Sequence, residues 1–125
     1  MALADRSLMA LAGLWETWKS QANETIRSFT IVTTTPNELC ASIHDRMPVI
    51  LPREKWASWF GERKVDADEL RWMILRPYPA ELMRSYPVDA RVGKARNDDP
   101  NLFDPVPSPP MPESALDNRP YHSAR

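Results

Sequence analysis

Arg27-Ser28-Phe29-Thr30-Ile31-Val32-Thr33-Thr34-Thr35-Pro36-Asn37-Glu38 is the stretch from which the fold is read. Residues 27–35 are largely β-branched or aromatic, and Pro36, which lacks an N–H, stops the run, so they form a strand. Thr35 as cap, Pro36 at the first helical position and the acidic Glu38 then begin a helix that reaches about residue 42. A strand handing over at once to a short helix points to mixed strands and helices.

Working toward the N-terminus, residues 1–4 and 8–15 are apolar almost throughout and are separated by the polar Asp5-Arg6-Ser7. This pattern predicts a hairpin with residues 5–7 as its turn and both arms buried on two faces. A helix over 8–14 is the rival, because Ala and Leu favour it. Trp15 is expected in the core, and residues 16–24 are polar and turn-like.

Toward the C-terminus, residues 47–51 make another short apolar run, stopped by Pro52. A second helix is expected over 52–60 with Gly61 just beyond its end. There Trp56, Trp59 and Phe60 stand at i, i+3, i+4 and form one apolar stripe. Those rings could stack on bases, but a core stripe is the simpler reading. A third helix is expected over 66–75, with Asp66 as cap and Glu69 three residues on. Arg76-Pro77-Tyr78-Pro79 breaks it, and residues 86–92 suggest a last short strand. Residues 105–125 hold six prolines and few large apolar groups. That segment cannot bury enough surface to offset the entropy of ordering, so it reads as a disordered tail following a domain over 1–104.

Bulk composition narrows the chemistry. With 16 basic and 17 acidic residues, the net charge of −1 gives no global attraction to nucleic acid. Any DNA contact must come from a local patch. One cysteine, Cys40, excludes a disulfide within the chain and argues against a four-ligand zinc site. The adjacent Asp98-Asp99 pair lacks the further ligands of a calcium loop, so no metal and no cofactor are expected. No basic run with a following apolar core opens the sequence, and no apolar stretch approaches 18 residues, so neither a signal peptide nor a membrane span is expected. A cytoplasmic protein fits these features.

The densest chemical cluster is Ile43-His44-Asp45-Arg46-Met47-Pro48-Val49-Ile50-Leu51. An imidazole, a carboxylate and a guanidinium stand in a row between a helix and an apolar strand. In an extended loop His44 and Arg46 share one side, with Asp45 opposite. His44 can shuttle a proton near neutral pH, and Arg46 can hold a phosphate through its planar fork. The plain alternative is a solvated turn. Cys40 and His44, at i and i+4, would face one another only if the helix extended that far. A buried structural thiol is the simpler reading of Cys40. Lys94 and Arg96 are weaker phosphate candidates, and His122 lies in the proline-rich segment.

His44-Asp45-Arg46-Met47-Pro48 followed by Val49-Ile50-Leu51 resembles the signature of the SOS-response-associated peptidase family. Ala12-Gly13-Leu14-Trp15-Glu16, Phe29-Thr30-Ile31-Val32-Thr33-Thr34, Pro36-Asn37, Leu75-Arg76-Pro77-Tyr78-Pro79 and Arg96-Asn97-Asp98-Asp99-Pro100 resemble further family blocks in the family's order. The resemblance covers about residues 2–106.

The family resemblance implies an α+β fold: part of an open, barrel-like mixed sheet with short peripheral helices. It implies DNA-damage chemistry of the SOS response on abasic sites in single-stranded DNA. In intact members a cysteine that becomes the mature N-terminus traps the sugar aldehyde as a thiazolidine, a covalent protein–DNA linkage with peptidase, hydrolase and lyase associations. Carried over residue by residue, His44 is the catalytic histidine, and Arg46 and Thr33 are DNA-binding positions. The nucleophile does not carry over, because position 2 is Ala2. The family's Asn and catalytic Glu belong upstream of the Ala12–Glu16 block. The expectation is therefore a C-terminal part lacking the nucleophile. Its expected partners are abasic single-stranded DNA and a missing N-terminal half, with no membrane. The competing expectations are a DNA-binding half-domain or an inactive truncated remnant.

Overall fold

Three extended segments, 10–19, 25–34 and 47–51, each change partner along their length. The computed structural model describes residues 1–108. Its first unit, Met1–Ser85, begins with β1 (Ala2–Leu3), β2 (Ala10–Leu11), β3 (Gly13–Lys19), β4 (Thr25–Ile31) and β5 (Thr33–Thr34). Next come α1 (Glu38–Ala41), β6 (Met47–Pro48), β7 (Ile50–Leu51), α2 (Trp56–Trp59), α3 (Ala67–Leu75) and β8 (Met83–Arg84). The pairs are β1–β8, β2–β7, β3–β4 and β5–β6, all antiparallel.

Ala12, Val32 and Val49 sit at the three partner changes. The Ala12 N–H donates to the Val49 carbonyl at 2.8 Å, Val49 to Val32 at 2.9 Å, and Val32 to Ala12 at 2.9 Å. The ring of three bonds satisfies the groups that the interrupted ladders would leave unpaired. Ala12 is 0% exposed and Val49 1%. The class is α+β, as the sequence implies, and the antiparallel sheet is open, with short helices at its edge.

Two apolar clusters form around this junction. Leu3, Cys40, Met47, Ile50 and Met83 make one. Ala12, Val49, Leu51 and Met73 make the other, with Val32, Trp56 and Trp59 packed on it. The Trp56 indole N–H donates to the Leu51 carbonyl at 3.0 Å and that of Trp59 to Gly13 at 3.2 Å, so both rings are tied inward. The third ring of the expected stripe, Phe60, is exposed. A 3₁₀ turn over Arg53–Lys55 precedes α2. Gly61, at φ 78°, ends α2 as expected. Asp66 caps α3 by accepting from the Glu69 N–H at 2.8 Å. The Glu69 carboxylate then clasps Lys55 and Arg63, joining α3 to the residues around α2.

Several expectations are corrected. Asp5–Ser7 does turn: Arg6 has φ 63°, and the Ser7 hydroxyl and amide donate to Asp5 at 2.6 and 2.9 Å. Those bonds, the hydroxyl's first, hold the Asp5 carboxyl below its ordinary range. The arms nevertheless part. β1 joins β8 and β2 joins β7, and Leu3 is buried in one cluster with Met83 and Met47. The arms are not buried on both faces either, since Leu8, Leu11 and Leu14 are exposed. Trp15 is 74% exposed instead of lying in the core.

Residues 16–19 continue the strand, and the turn is only 20–23, where Asn23 takes φ 60°. Cross-strand pairing with residues 25–28 overrides the polar composition there. The expected strand over 27–35 is interrupted at Val32 by the junction. The α1 cap is Asn37 rather than Thr35, with its side chain accepting from the Cys40 N–H at 2.9 Å.

In the second unit, which starts at Tyr86, a 3₁₀ turn over Ala90–Gly93 replaces the expected strand. Among the described residues of this unit, extended pairing is limited to the bridge Val88↔Pro105. The Val106 N–H donates to the Pro87 carbonyl at 3.0 Å. Beyond residue 108 the expected tail lies outside the described residues.

Two substitutions probe this framework. Ala12→Val forces branched carbons into the three-strand junction and should lower unfolding free energy by about 1–3 kcal/mol, read from the urea midpoint; an unchanged midpoint would mean the junction has room. Asn37 caps α1 and donates from its amide to the Tyr78 carbonyl at 2.6 Å. Asn37→Ala should cost about 1–3 kcal/mol. Asn37→Asp, which keeps the cap acceptor but not the amide donor, should stay below wild type.

Candidate nucleic-acid interface

α1 stops at Ala41, and the backbone N–H groups of Ile43 and His44 both donate to the Cys40 carbonyl at 2.9 Å. The chain turns out of the helix there and crosses residues 44–46 to reach β6. Because β6 pairs with β5 in the register Thr33↔Pro48, Arg46 arrives beside Thr33. Its Nη2 donates to the Thr33 carbonyl at 2.9 Å and to Oγ1 at 3.1 Å, and Nε donates to Oγ1 at 3.3 Å. The guanidinium is thus held in place by neutral acceptors only. Among the described residues no carboxylate pairs with it. Both Nη1 hydrogens and the full positive charge remain available at an exposed site.

His44 is coupled to the same corner. Its Nδ1 lies 3.2 Å from the Arg46 backbone N–H and 3.0 Å from a carboxylate oxygen of Asp45. One neutral tautomer accepts from Arg46 and carries its proton on Nε2; the other donates to Asp45 and leaves Nε2 as a base. The loop supports either tautomer, as a group that both gives and takes a proton requires. The structure therefore brings His44, Arg46 and Thr33, all singled out in the sequence, onto one corner where helix, loop and strand meet.

Other sequence candidates fall elsewhere. Cys40 is buried at 4% exposure, with its thiol 3.2 Å from the Met1 sulfur. Its thiol lies on Met1, whereas the His44 ring is exposed and turned to Asp45 and the Arg46 N–H, so among the described residues no Cys–His dyad forms. Burial pushes the Cys40 thiol above its ordinary value, the opposite of what an activated nucleophile needs. Asp99 caps the 3₁₀ turn over Pro100–Phe103. Among the described residues no three His, Cys, Asp or Glu side chains cluster, and no helix is long and apolar enough to cross a membrane. Lys94 and Arg96 are exposed in the second unit, and His122 lies outside the described residues.

The sequence reading missed an exposed aromatic pair, Trp15 opposite Phe29, on the β3–β4 hairpin. The signal is the alternation Trp15, Thr17, Lys19 and Thr25, Arg27, Phe29, masked by the polar, turn-like composition of residues 16–24.

Comparison with known proteins places these features in a family context. The SOS response associated peptidase (SRAP) profile matches residues 1–95. The abasic site processing protein YoqW of Bacillus subtilis is 40% identical over 102 residues, covering 82% of this chain and 45% of YoqW. The abasic site processing protein YoaM of the same organism is 37% identical over 102 residues, covering 82% of this chain and 44% of YoaM. A solved structure of a protein from Bacteroides thetaiotaomicron matches with a TM-score of 0.73 at 24% identity, covering 83% of this chain and 46% of that one, a likeness of fold. The chain spans about half the length of the curated relatives it matches.

The thiol makes a direct check. Cys40 should react with a disulfide reagent far more slowly in the folded chain than in urea. Because the folded state holds the thiol proton more tightly, this group's contribution to stability is intact below the ordinary thiol range and is lost as pH rises through the raised value. Fast labelling of the native chain near neutral pH would contradict this placement.

Proposed function

The chain belongs to the SOS response associated peptidase family, and on that premise we propose that it serves abasic-site processing, with the Thr33–His44–Arg46 corner forming one wall of a groove for single-stranded DNA. The observation that carries the reading is the clip of Arg46 onto Thr33. It fixes at the surface a guanidinium that has no carboxylate partner among the described residues, beside an imidazole with two usable tautomers. Arg46 holds a phosphate through its remaining N–H groups. His44 moves a proton at the lesion through Nε2.

The covalent step of the intact family needs an amine and a thiol together. The one thiol of this sequence, Cys40, is buried and holds its proton more tightly than usual, so it is not the group that reacts. On this reading the chain binds abasic single-stranded DNA in the cytoplasm, and a companion segment bearing the nucleophile completes the cross-linking and lyase chemistry.

Fluorescence anisotropy of the full chain with labelled single-stranded oligonucleotides, with and without an abasic position, tests the proposal. Binding should be reversible and should weaken as salt rises. Arg46→Ala should raise Kd about tenfold, from loss of a hydrogen-bonded charge contact. Arg46→Lys, which keeps the charge but not the fork, should fall between. No affinity at low salt would refute the DNA reading. A denaturation-resistant adduct formed by the chain alone would refute the division between binding and cross-linking.

A further inference from the structure

The β3–β4 ladder is the longest among the described residues, and its register sorts residues strictly by face. Gly13, Trp15, Thr17 and Lys19 stand opposite Ile31, Phe29, Arg27 and Thr25, all on one side. Trp15 and Phe29 are directly paired yet 74% and 78% exposed. Lys19 and Arg27 lie on the same side, and among the described residues neither has a carboxylate partner. This side carries no acid at all, since the one carboxylate of the ladder, Glu16, is on the other face opposite Ser28. Next to the two rings, a shallow cavity of about 260 Å³ runs past Leu11 to Trp59 and Phe60.

We propose that the Trp15–Phe29 face, with Arg27 and Lys19, is a stacking platform for the bases of single-stranded nucleic acid. Exposed rings give every base a π-face irrespective of sequence, and interleaved cations track the phosphates. The charge argues for this occupant. The whole chain has a net charge of −1, whereas this face holds two cations and no anion, a local excess that a purely apolar protein surface would have to desolvate without return. The larger cavity of about 750 Å³ beneath Trp72 and Tyr78 lacks that excess, because Arg53 and Arg76 there are matched by Asp5 and Glu54.

The inference rests on the single-stranded DNA reading and extends its footprint. Phe29 precedes Thr33 by four residues in the same extended segment, about 13 Å at 3.3 Å per residue. One short oligonucleotide can therefore reach both the rings and the Arg46 corner, well within the 4–16 nucleotides that such grooves commonly take up.

The test is titration of the full chain with an oligo(dT) of about 12 nucleotides, read by tryptophan fluorescence and anisotropy. Trp15→Thr and Phe29→Thr, which keep strand propensity but remove the ring, should each weaken binding about tenfold. Trp15→Phe and Phe29→Tyr, which keep a ring, should bind within about twofold of wild type, and this arm guards against loss of fold. Arg27→Ser with Lys19→Ser should flatten the dependence on salt. If the threonine variants bind like wild type while Arg46→Ala does not, the platform is refuted and the Arg46 groove stands. If wild type itself fails to bind, the DNA reading and the platform fall together. If the threonine variants change the molecular mass in light scattering but not DNA affinity, the face is a protein interface and the platform is refuted.

Discussion

Three backbone hydrogen bonds running head to tail through Ala12, Val49 and Val32 are the constraint on which the rest of the structure depends. A strand that changes partner leaves an N–H and a carbonyl without a ladder, and a buried unpaired group costs as much as a lost hydrogen bond. Three strands changing partner at one place supply one another's missing groups. The junction thereby fixes three arms: β2–β7, β3–β4 and β5–β6. Side-chain size enforces it, because Ala12 is fully buried where the three backbones converge.

The site follows from that geometry. The β5–β6 arm has only two residue pairs, Thr33↔Pro48 and Thr34↔Met47, too short to be stable alone. The junction at its base, α1 packed beside it through Cys40 and Met47, and the Asn37 side chain reaching the Tyr78 carbonyl hold it in place. The loop that carries His44 and Arg46 is therefore suspended between a capped helix and an anchored strand. A loop held at both ends keeps a guanidinium near one geometry, which lowers the ordering cost of meeting a phosphate.

Sequence alone reached the elements whose signals are local. α3 was legible because Asp66 and Glu69 cap it in a pattern that needs no tertiary partner. The end of α2 was legible from Gly61. His44, Arg46 and Thr33 were legible as candidates from the family-like motif, and the bond between Arg46 and Thr33 gives their separation of 13 residues a spatial meaning. What escaped was decided by partners far along the chain. Nothing in residues 1–15 says that β1 closes on residues 83–84 or β2 on residues 50–51, so local pattern alone makes the turn at Asp5–Ser7 a hairpin. The apolar run ending at Trp15 suggests burial, but exposure depends on what packs against the arm, which no local pattern encodes.

The two kinds of surface on this small framework then have one physical origin. The β3–β4 arm projects from the junction with seven residue pairs, and both its faces carry exposed large apolar side chains. A two-stranded arm in water gains little from its own burial, so its order comes from the junction at one end and from cross-strand contacts such as Trp15–Phe29 along its length. Those rings stand opposite each other across the ladder and remain largely exposed. An aromatic pair in that state is held in position without being used up by packing, and the neighbouring Arg27 and Lys19 add the charge that the chain as a whole lacks. The framework thus sets a guanidinium clipped to Thr33 at one arm and an exposed aromatic pair at the next, and on the proposed reading a flexible strand would meet both with little reordering of the protein.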